Sequence, residues 1–259
     1  TLPISASIGI TLFANGQANV DSAMRQADMA LQQAKLAGGN TLRFFNADMQ
    51  ADVMERVHLE ADLHQALARD ELRLHYQVQV DDAAKVTGVE ALLRWEHPQR
   101  GLVPPGLFIP LAEKNRLILP IGYWVLETAC CQLAVWAQES GKETLTISVN
   151  VSSVQFHQPD FVARVQHTLE RTGADPARLV LEVTESLLME EPERVRNIML
   201  RLSKLGIRFS LDDFGTGYSS LNYLKRLPLD ELKIDKSFID GVLDDPVDAA
   251  IVTTTITLA

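Results

Sequence analysis

The amino-acid sequence predicts an α/β protein: a TIM-like (β/α) barrel preceded by a fragment of an α+β domain. The chain has 259 residues, of which 46% are hydrophobic and 22% charged, so it can bury a large core. From residue 71 onward, strand and helix patterns alternate, which is typical of a mainly parallel sheet. Each strand has one apolar and one polar face, and the polar residues gather near the carboxyl ends, where such barrels place active sites.

The first 68 residues show a strand, a helix and a second strand, followed by a longer helix. A strand is predicted over 4–13, a helix from Asp21 to the Gly38-Gly39 stop, and a strand over 41–45. Because two strands and one helix cannot enclose a core, we expect residues 1–47 to end a domain whose body lies upstream. Residues 48–58 are predicted to be a linker helix, and residues 59–259 the second domain.

Six strands and six helices are predicted in the second domain. The strands are expected at 71–79, 86–95, 144–152, 178–185, 206–213 and 230–235, and the helices at 107–116, 117–139, 159–172, 192–205, 218–227 and 246–259. An antiparallel sheet with one solvated face is the alternative, but the intervening helices favour a barrel. Since a closed barrel has eight strands, we expect it to be incomplete at Ala259, and a chain ending there to be poorly soluble and inactive.

The net charge and the cysteine content limit which partners and which cellular compartment are expected. The formal net charge of −10 argues against a nucleic-acid polymer, which needs a basic face. Cys130 and Cys131 are adjacent, cannot form a disulfide framework and fit a reducing compartment. The richest apolar run, 117–126, is shorter than the roughly 18 residues of a membrane span. We expect a cytoplasmic segment without membrane contact, with an anchor upstream in the parent protein left open.

One face of the predicted strands collects carboxylates. The oxygen donors on it are Glu90, Asn150, Glu182, Asp212 and Asp213. Ionised carboxylates share a low-dielectric site only when cations compensate them, and Arg94 and Lys233 offset only two. An all-oxygen set without Cys or His suits Mg²⁺ or Mn²⁺, and two adjacent aspartates could bridge two ions for phosphoryl displacement. Lys233 could orient or deprotonate the attacking water. Five scattered histidines are assigned to surfaces: His58, His64, His97, His157 and His167.

Five ordered motifs make residues 59–259 resemble the EAL family of cyclic-di-GMP phosphodiesterases. They are EALLRW (90–95), SVNVS (148–152), LEVTES (181–186), LDDFGTGYSSL (211–221) and LKIDKSF (232–238). The resemblance implies a barrel that hydrolyses cyclic-di-GMP to linear pGpG with two Mg²⁺ or Mn²⁺ ions.

The resemblance also implies residue roles. It implies that the first metal ion is bound by Glu90, Asn150, Glu182 and Asp212. The second metal ion is then bound by Asp212 and Asp213. It makes Glu90, Asp212 and Lys233 catalytic, with Lys233 contacting the attacking water, and it gives the substrate Gln77, Leu92, Arg94 and Asp213. The 213–221 loop resembles a regulatory loop that leads to a homodimer surface. The leucines 221, 224 and 227 then either meet a second subunit or pack on the barrel.

Residues 1–47 resemble the end of a GGDEF diguanylate cyclase domain. The resemblance rests on three segments: the SIGI strand, the ADMALQQAKLAGGN helix and the RFF strand. The GGDEF loop is not among these residues, so they receive no cyclase activity; the expected partners are upstream GGDEF and sensory domains. Two alternatives to a phosphodiesterase stay open: a catalytically silent cyclic-di-GMP receptor, and a two-metal hydrolase of another phosphodiester. The presence of Glu90, Asp212, Asp213 and Lys233 favours the enzyme over the receptor.

Overall fold

A computed structural model describes residues 5–13, 19–215 and 221–258 of the chain. Its contacts divide the protein into two compact units, Thr1–Gln65 and Ala66–Ala259. Residues 216–220 of the motif loop, including Thr216, Ser219 and Ser220, lie outside the described residues, as does the side chain of Leu221.

The first unit contains a two-stranded parallel sheet and an amphipathic helix. Its elements are β1 (Ile8–Ile10), α1 (Val20–Leu36), β2 (Leu42–Phe44) and α2 (Ala47–Ala66). The Asn19 side chain caps α1 by accepting from the Asp21 backbone N–H, and Gly38 ends it with a left-handed φ of 96°. A Cβ at Gly9 would overlap the α1 backbone, so β1 lies directly against that helix. The residues predicted to form a linker helix, 48–58, fall inside α2.

The second unit is built on a seven-stranded sheet. Its strands are β3 (Leu72–Val80), β4 (Val86–His97), β5 (Gly101–Val103), β6 (Thr146–Asn150), β7 (Leu179–Thr184), β8 (Arg208–Phe214) and β9 (Glu231–Ile234). The order is β3-β4-β6-β7-β8-β9, with β5 beside β4. The pairs from β4 to β9 are parallel and only β3–β4 and β4–β5 are antiparallel, so the expectation of a mainly parallel sheet is confirmed.

Helices connect most of the strands. They are α3 (Pro105–Lys114), α4 (Ile118–Trp136), α5 (Ser153–Phe156), α6 (Phe161–Thr172), α7 (Glu185–Met189), α8 (Pro192–Ser203), α9 (Leu221–Leu224), α10 (Lys236–Gly241) and α11 (Pro246–Leu258). The six helices expected in this unit are present, although α9 is only four residues long. The sequence patterns missed α5, α7 and α10, because helices shorter than two turns show no 3.6-residue periodicity.

The strands β3 and β9 flank an opening in the sheet. Among the described residues these two strands do not pair with each other. A cavity of about 710 Å³ lies between them, lined by Gln77 and Gln79 from β3 and by Glu231 and Lys233 from β9. The polar face of the strands is therefore reachable from this side.

The helix α4 is a longer apolar segment than the run over 117–126 that was expected. It extends over 19 residues and is the one described helix that is long and apolar enough, by length and composition alone, to span a membrane. Pro120 lies in its first turn, where its missing N–H is no loss, so the helix continues past it. Ile121, Leu126 and Leu133 are buried, so α4 packs as a core helix of the protein.

Two further side-chain expectations are decided by packing. Leu224 and Leu227 are 9% and 8% exposed, so this part of the leucine stripe packs within the protein instead of facing a partner. His97, expected at the surface, is 5% exposed. Its Nδ1 accepts from the backbone N–H groups of Gln99 and Arg100 at 3.2 and 3.3 Å, which closes the turn between β4 and β5.

Candidate active site

The polar faces of neighbouring parallel strands meet at one end of the sheet. Asn150 on β6 is the register partner of Glu182 on β7. Thr184, two residues beyond Glu182, is the partner of Asp212 on β8. Because side chains two residues apart point to the same face, the register brings these carboxylates together, as the alternation in the sequence predicted.

Lys233 lies at the centre of this cluster. Its Nζ is 2.8 Å from Oε2 of Glu182, 3.0 Å from Oε2 of Glu90 and 3.5 Å from Oδ1 of Asp212. The Asn150 Nδ2 donates to Oε1 of Glu90 at 2.9 Å. Three carboxylates therefore share one ammonium, and we call these five residues the carboxylate–lysine cluster.

The neighbouring carboxylates keep the Lys233 side chain charged. Burial disfavours the ammonium, but the hydrogen bond to Glu182 and the charges of Glu182 and Asp212 outweigh it and raise the pKa of Lys233. With these three carboxylates as its partners, the side chain is a charged hydrogen-bond donor near neutral pH.

Glu182 is incompletely satisfied by these contacts. The side chain is fully buried, and its second oxygen, Oε1, has no hydrogen-bond partner among the described residues. Burial raises its pKa to about 7, opposed by the hydrogen bond and charge of Lys233 and increased by the charges of Glu90 and Asp212. One ammonium therefore does not compensate the ionised cluster.

Asp213 stands apart from the cluster on an irregular strand. Its φ is 56°, and the register of β8 against β9 shifts between Leu211 and Phe214. Burial, the charge of Asp212 and a hydrogen bond with Asp235 raise the pKa of Asp213. The same hydrogen bond helps to lower the pKa of Asp235, whose strongest contact is with Ser237 at the start of α10.

Besides Asp213, the predicted substrate residues are Gln77, Leu92 and Arg94, and these three lie on two sides of the cluster. Gln77 is the register partner of Glu90 and lines the 710 Å³ cavity together with Glu90 and Lys233. Leu92 and Arg94 line a second cavity of about 310 Å³, which also includes Asn150. Within the strand, Arg94 donates to the backbone oxygen of Leu93 at 2.9 Å. The structure thus places all three beside the cluster, although not in one cavity.

Two carboxylates with no role predicted from the sequence contact residues of the site. Glu185, 4% exposed at the start of α7, accepts from the backbone N–H of Gly215 at 3.3 Å. Asp235 contacts Asp213. Asp235 has the same parity as Lys233 in the strand predicted over 230–235, although the structure ends β9 at Ile234 and makes Asp235 the N-cap of α10. Glu185 follows Glu182 by three residues. The positions of both were therefore readable from the sequence, but their contacts were not.

The donor chemistry of the cluster fits a hard divalent cation. Within residues 5–13, 19–215 and 221–258, no three Asp, Glu, His or Cys side chains already stand in metal-binding geometry. The carboxylates instead turn toward Lys233. The side chains of the cluster nevertheless offer an all-oxygen ligand set, which Mg²⁺ and Mn²⁺ prefer. The Oε1 of Glu182, which has no hydrogen-bond partner among the described residues, is available as one of these ligands.

A mainly parallel sheet with charged groups at the carboxyl ends of its strands is what a TIM-like α/β fold with a site at that end would show. The family model of the EAL domain matches residues 60–259, so the chain belongs to the EAL domain family. The expectation drawn from the five motifs is confirmed.

Two relatives and one solved structure illustrate the similarity. The bifunctional diguanylate cyclase/cyclic di-GMP phosphodiesterase MucR of Pseudomonas aeruginosa is 48% identical over 256 residues, 98% of this chain and 37% of MucR. The cyclic di-GMP phosphodiesterase NbdA of the same organism is 41% identical over 240 residues, 92% of this chain and 30% of NbdA. A structure of the PaMucR phosphodiesterase in complex with c-di-GMP matches with a TM-score of 0.75 at 50% identity, covering 78% of this chain and 81% of that one. The chain spans about a third of the length of the two curated relatives.

Proposed function

We propose that this EAL domain hydrolyses cyclic di-GMP to linear pGpG. The observation that carries the proposal is the carboxylate–lysine cluster, in which Lys233 contacts Glu90, Glu182 and Asp212 at the strand ends. The names of MucR and NbdA, and the c-di-GMP complex of the PaMucR phosphodiesterase, support the choice of substrate.

Two divalent cations complete the site in this proposal. Glu90, Asn150, Glu182 and Asp212 would hold the first, and Asp212 and Asp213 would hold the second. When bound, such ions stabilise negative charge on the phosphate and lower the pKa of water. The buried Oε1 of Glu182, which lacks a partner, supports its assignment as a ligand.

The residues of the chain orient the reactants. Water oxygen forms a bond to phosphorus and the bond from phosphorus to the ribose 3′-oxygen breaks. Solvent takes the proton that the water loses and supplies the proton with which the 3′-oxygen leaves as a hydroxyl. Lys233 keeps its proton and donates a hydrogen bond to the attacking water. Arg94 binds a phosphate oxygen, with Leu92 and Gln77 contacting the rest of the substrate.

The flanking partners form a second part of the proposal. Residues 1–47 are the end of a GGDEF domain, residues 48–58 a linker and residues 59–259 the EAL domain. The similarity to MucR supports this, because it covers 98% of the chain and MucR is a bifunctional cyclase and phosphodiesterase. The domain works in the cytoplasm as a homodimer and receives signals from upstream domains.

Chromatography of the products formed from cyclic di-GMP, with and without Mg²⁺, tests the proposed reaction. In the parent protein that carries this segment, conversion to pGpG only with the metal ion is the expected result. Binding of cyclic di-GMP without turnover would instead identify a silent receptor. Hydrolysis of bis(4-nitrophenyl) phosphate without hydrolysis of cyclic di-GMP would identify an enzyme for another phosphodiester.

A further inference from the structure

Ser210 on β8 is a polar neighbour of Glu182 on the face of the sheet that carries the carboxylate–lysine cluster. It is the register partner of Glu182 on β7 and of Glu231 on β9. Asp212, a member of the cluster, follows it by two residues on the same face of β8. Because neighbouring strands lie about 4.8 Å apart, this register places the Ser210 hydroxyl within side-chain reach of the Glu182 carboxylate.

The contact between Glu182 and Lys233 spans β8. Glu182 belongs to β7 and Lys233 to β9, and β8 lies between these two strands. Oε2 of Glu182 and Nζ of Lys233 nevertheless approach to 2.8 Å, so they meet over the face of β8 that carries Ser210. The other oxygen of the buried carboxylate, Oε1, has no hydrogen-bond partner among the described residues. The Glu182 carboxylate is therefore held at one oxygen only.

The hydroxyl of Ser210 is a buried polar group of the complementary kind. Ser210 is completely buried, and its Oγ has no hydrogen-bond partner in the part of the chain that the structure describes. A hydroxyl has one hydrogen to donate, whereas an ionised carboxylate only accepts. A buried donor and a buried acceptor destabilise the folded protein as long as both stay unpaired. Rotation of the serine to another staggered rotamer, or one buried water molecule, joins the two atoms.

A hydrogen bond from a neutral group suits a carboxylate that binds a metal ion. Lys233 and a divalent cation compete for Glu182, because both are positively charged and repel each other. The Ser210 hydroxyl carries no charge and is free of this conflict. Each carboxylate oxygen has two lone pairs, so an oxygen that accepts from Ser210 can still bind a cation. Hydrogen bonds to ligating carboxylates orient them and strengthen metal binding.

We propose that Ser210 is a positioning residue of the metal site, whose hydroxyl donates to Oε1 of Glu182 and holds this carboxylate in place as a ligand. The inference rests on the proposed function, since it takes Glu182 as a ligand of the first divalent cation. In this assignment Ser210 touches neither the substrate nor the attacking water. Loss of its hydroxyl therefore weakens metal binding and leaves the KM for cyclic di-GMP at saturating metal unchanged.

Mn²⁺ titration of the parent protein that carries this segment tests the assignment, with free Mn²⁺ measured by its electron paramagnetic resonance signal. The variants are Ser210→Ala, Ser210→Thr, which keeps the hydroxyl, and Ser203→Ala as the matched control. The Oγ of Ser203 is also buried and lacks a partner among the described residues, but Ser203 ends α8, which leads into the opposite end of β8 from Asp212. Ser210→Ala should bind Mn²⁺ about 10- to 100-fold more weakly. Ser210→Thr and Ser203→Ala should bind it like the unmodified protein.

Several outcomes would overturn the role of Ser210. Unchanged Mn²⁺ affinity in Ser210→Ala would do so, as would an equal loss in Ser203→Ala or in a folded Ser210→Thr protein, since either would point to packing and not to the hydroxyl. If Ser210→Thr does not fold by its melting profile, the two alanine variants decide by the same criteria.

Two further outcomes separate this role from the proposed reaction. Absence of saturable Mn²⁺ binding in the unmodified protein would overturn the metal site and the role of Ser210 together. Mn²⁺ binding that depends on the Ser210 hydroxyl, without hydrolysis of cyclic di-GMP, supports the role of Ser210 and overturns only the proposed reaction.

Discussion

Lys233 Nζ lies 2.8 Å from Oε2 of Glu182, while the other oxygen of that buried carboxylate has no partner among the described residues. This relationship links a strand at the edge of the sheet to one at its centre. It also means that charge compensation in the cluster is only partial, and the first three predictions follow from that imbalance.

Divalent cations should stabilise the folded protein. Binding to the native state raises the free energy of unfolding, by about 2.7 kcal/mol at a hundredfold excess over Kd. The melting temperature should therefore rise across millimolar Mg²⁺ or Mn²⁺. Lys233→Met should show a larger rise, because the cation is then the sole compensation for three carboxylates. An unchanged melting temperature would contradict the metal site.

Cluster residues should separate into metal ligands and a water-orienting residue. Glu90→Ala and Asp212→Ala should lower kcat on the order of 10³-fold or more, by analogy with other electrostatic contacts. Lys233→Ala should slow hydrolysis, whereas its melting response to Mg²⁺ should be enlarged like that of Lys233→Met. Lys225→Ala, an exposed lysine, is the control. Full kcat in Lys233→Ala would show that another group orients the water.

Glu182 should make the metal-free protein less stable as the pH rises. The pKa of this carboxyl group is 4.5 in the unfolded chain and about 7 in the folded protein. The burial penalty of its charge is therefore absent below about pH 4.5 and complete above about pH 7. Relative to Glu182→Gln, the unmodified protein should lose about 1–3 kcal/mol of unfolding free energy between pH 5 and pH 8.

Urea unfolding at each pH measures this difference, with the exposed Glu170→Gln as control. Lys233, whose pKa is raised, stays charged between pH 5 and pH 8, so its contribution to the unfolding free energy does not change with pH. A difference between the two proteins that is independent of pH would contradict the raised pKa of Glu182.

Gly215 should tolerate no side chain. Its φ is 102°, and a Cβ there would lie 2.8 Å from the Phe238 ring. Gly215→Ala should therefore lose more stability than Gly141→Ala, whose φ is 83° but whose Cβ would meet no atom within 4 Å. The backbone cost common to both is about 1–3 kcal/mol. Equal losses in urea unfolding would show that the Phe238 ring moves aside freely.

The leucine stripe should stabilise the fold and not an interface. Leu224→Ala truncates a buried side chain and should lower the unfolding free energy by about 2–5 kcal/mol. The sedimentation coefficient, with substrate and metal present, should not change with this substitution. A concentration-independent monomer for the unmodified protein under those conditions would contradict the proposed homodimer altogether.

Local patterns predicted much of the fold. The six strands of the β3–β9 path followed from alternation of apolar and polar residues, and α8 from its stripe of Val195, Ile198, Met199 and Leu202. The short helices α5 and α7 and the strand β5 did not, because a few residues show no period. His97 was placed wrongly, because nothing in a local pattern shows that its ring closes a neighbouring turn.

The sequence by itself determined which residue types face one side of each strand, and its five motifs determined the family. Tertiary structure decided which of those groups touch. Lys233 and Glu90 are separated by 143 positions in the chain and meet only through the register of the sheet. The raised pKa of Glu182, the contact of Asp213 with Asp235 and the unpaired hydroxyl of Ser210 depend on burial and on neighbours from distant segments. Burial and partner identity arise from long-range packing, and residue type with spacing encodes neither.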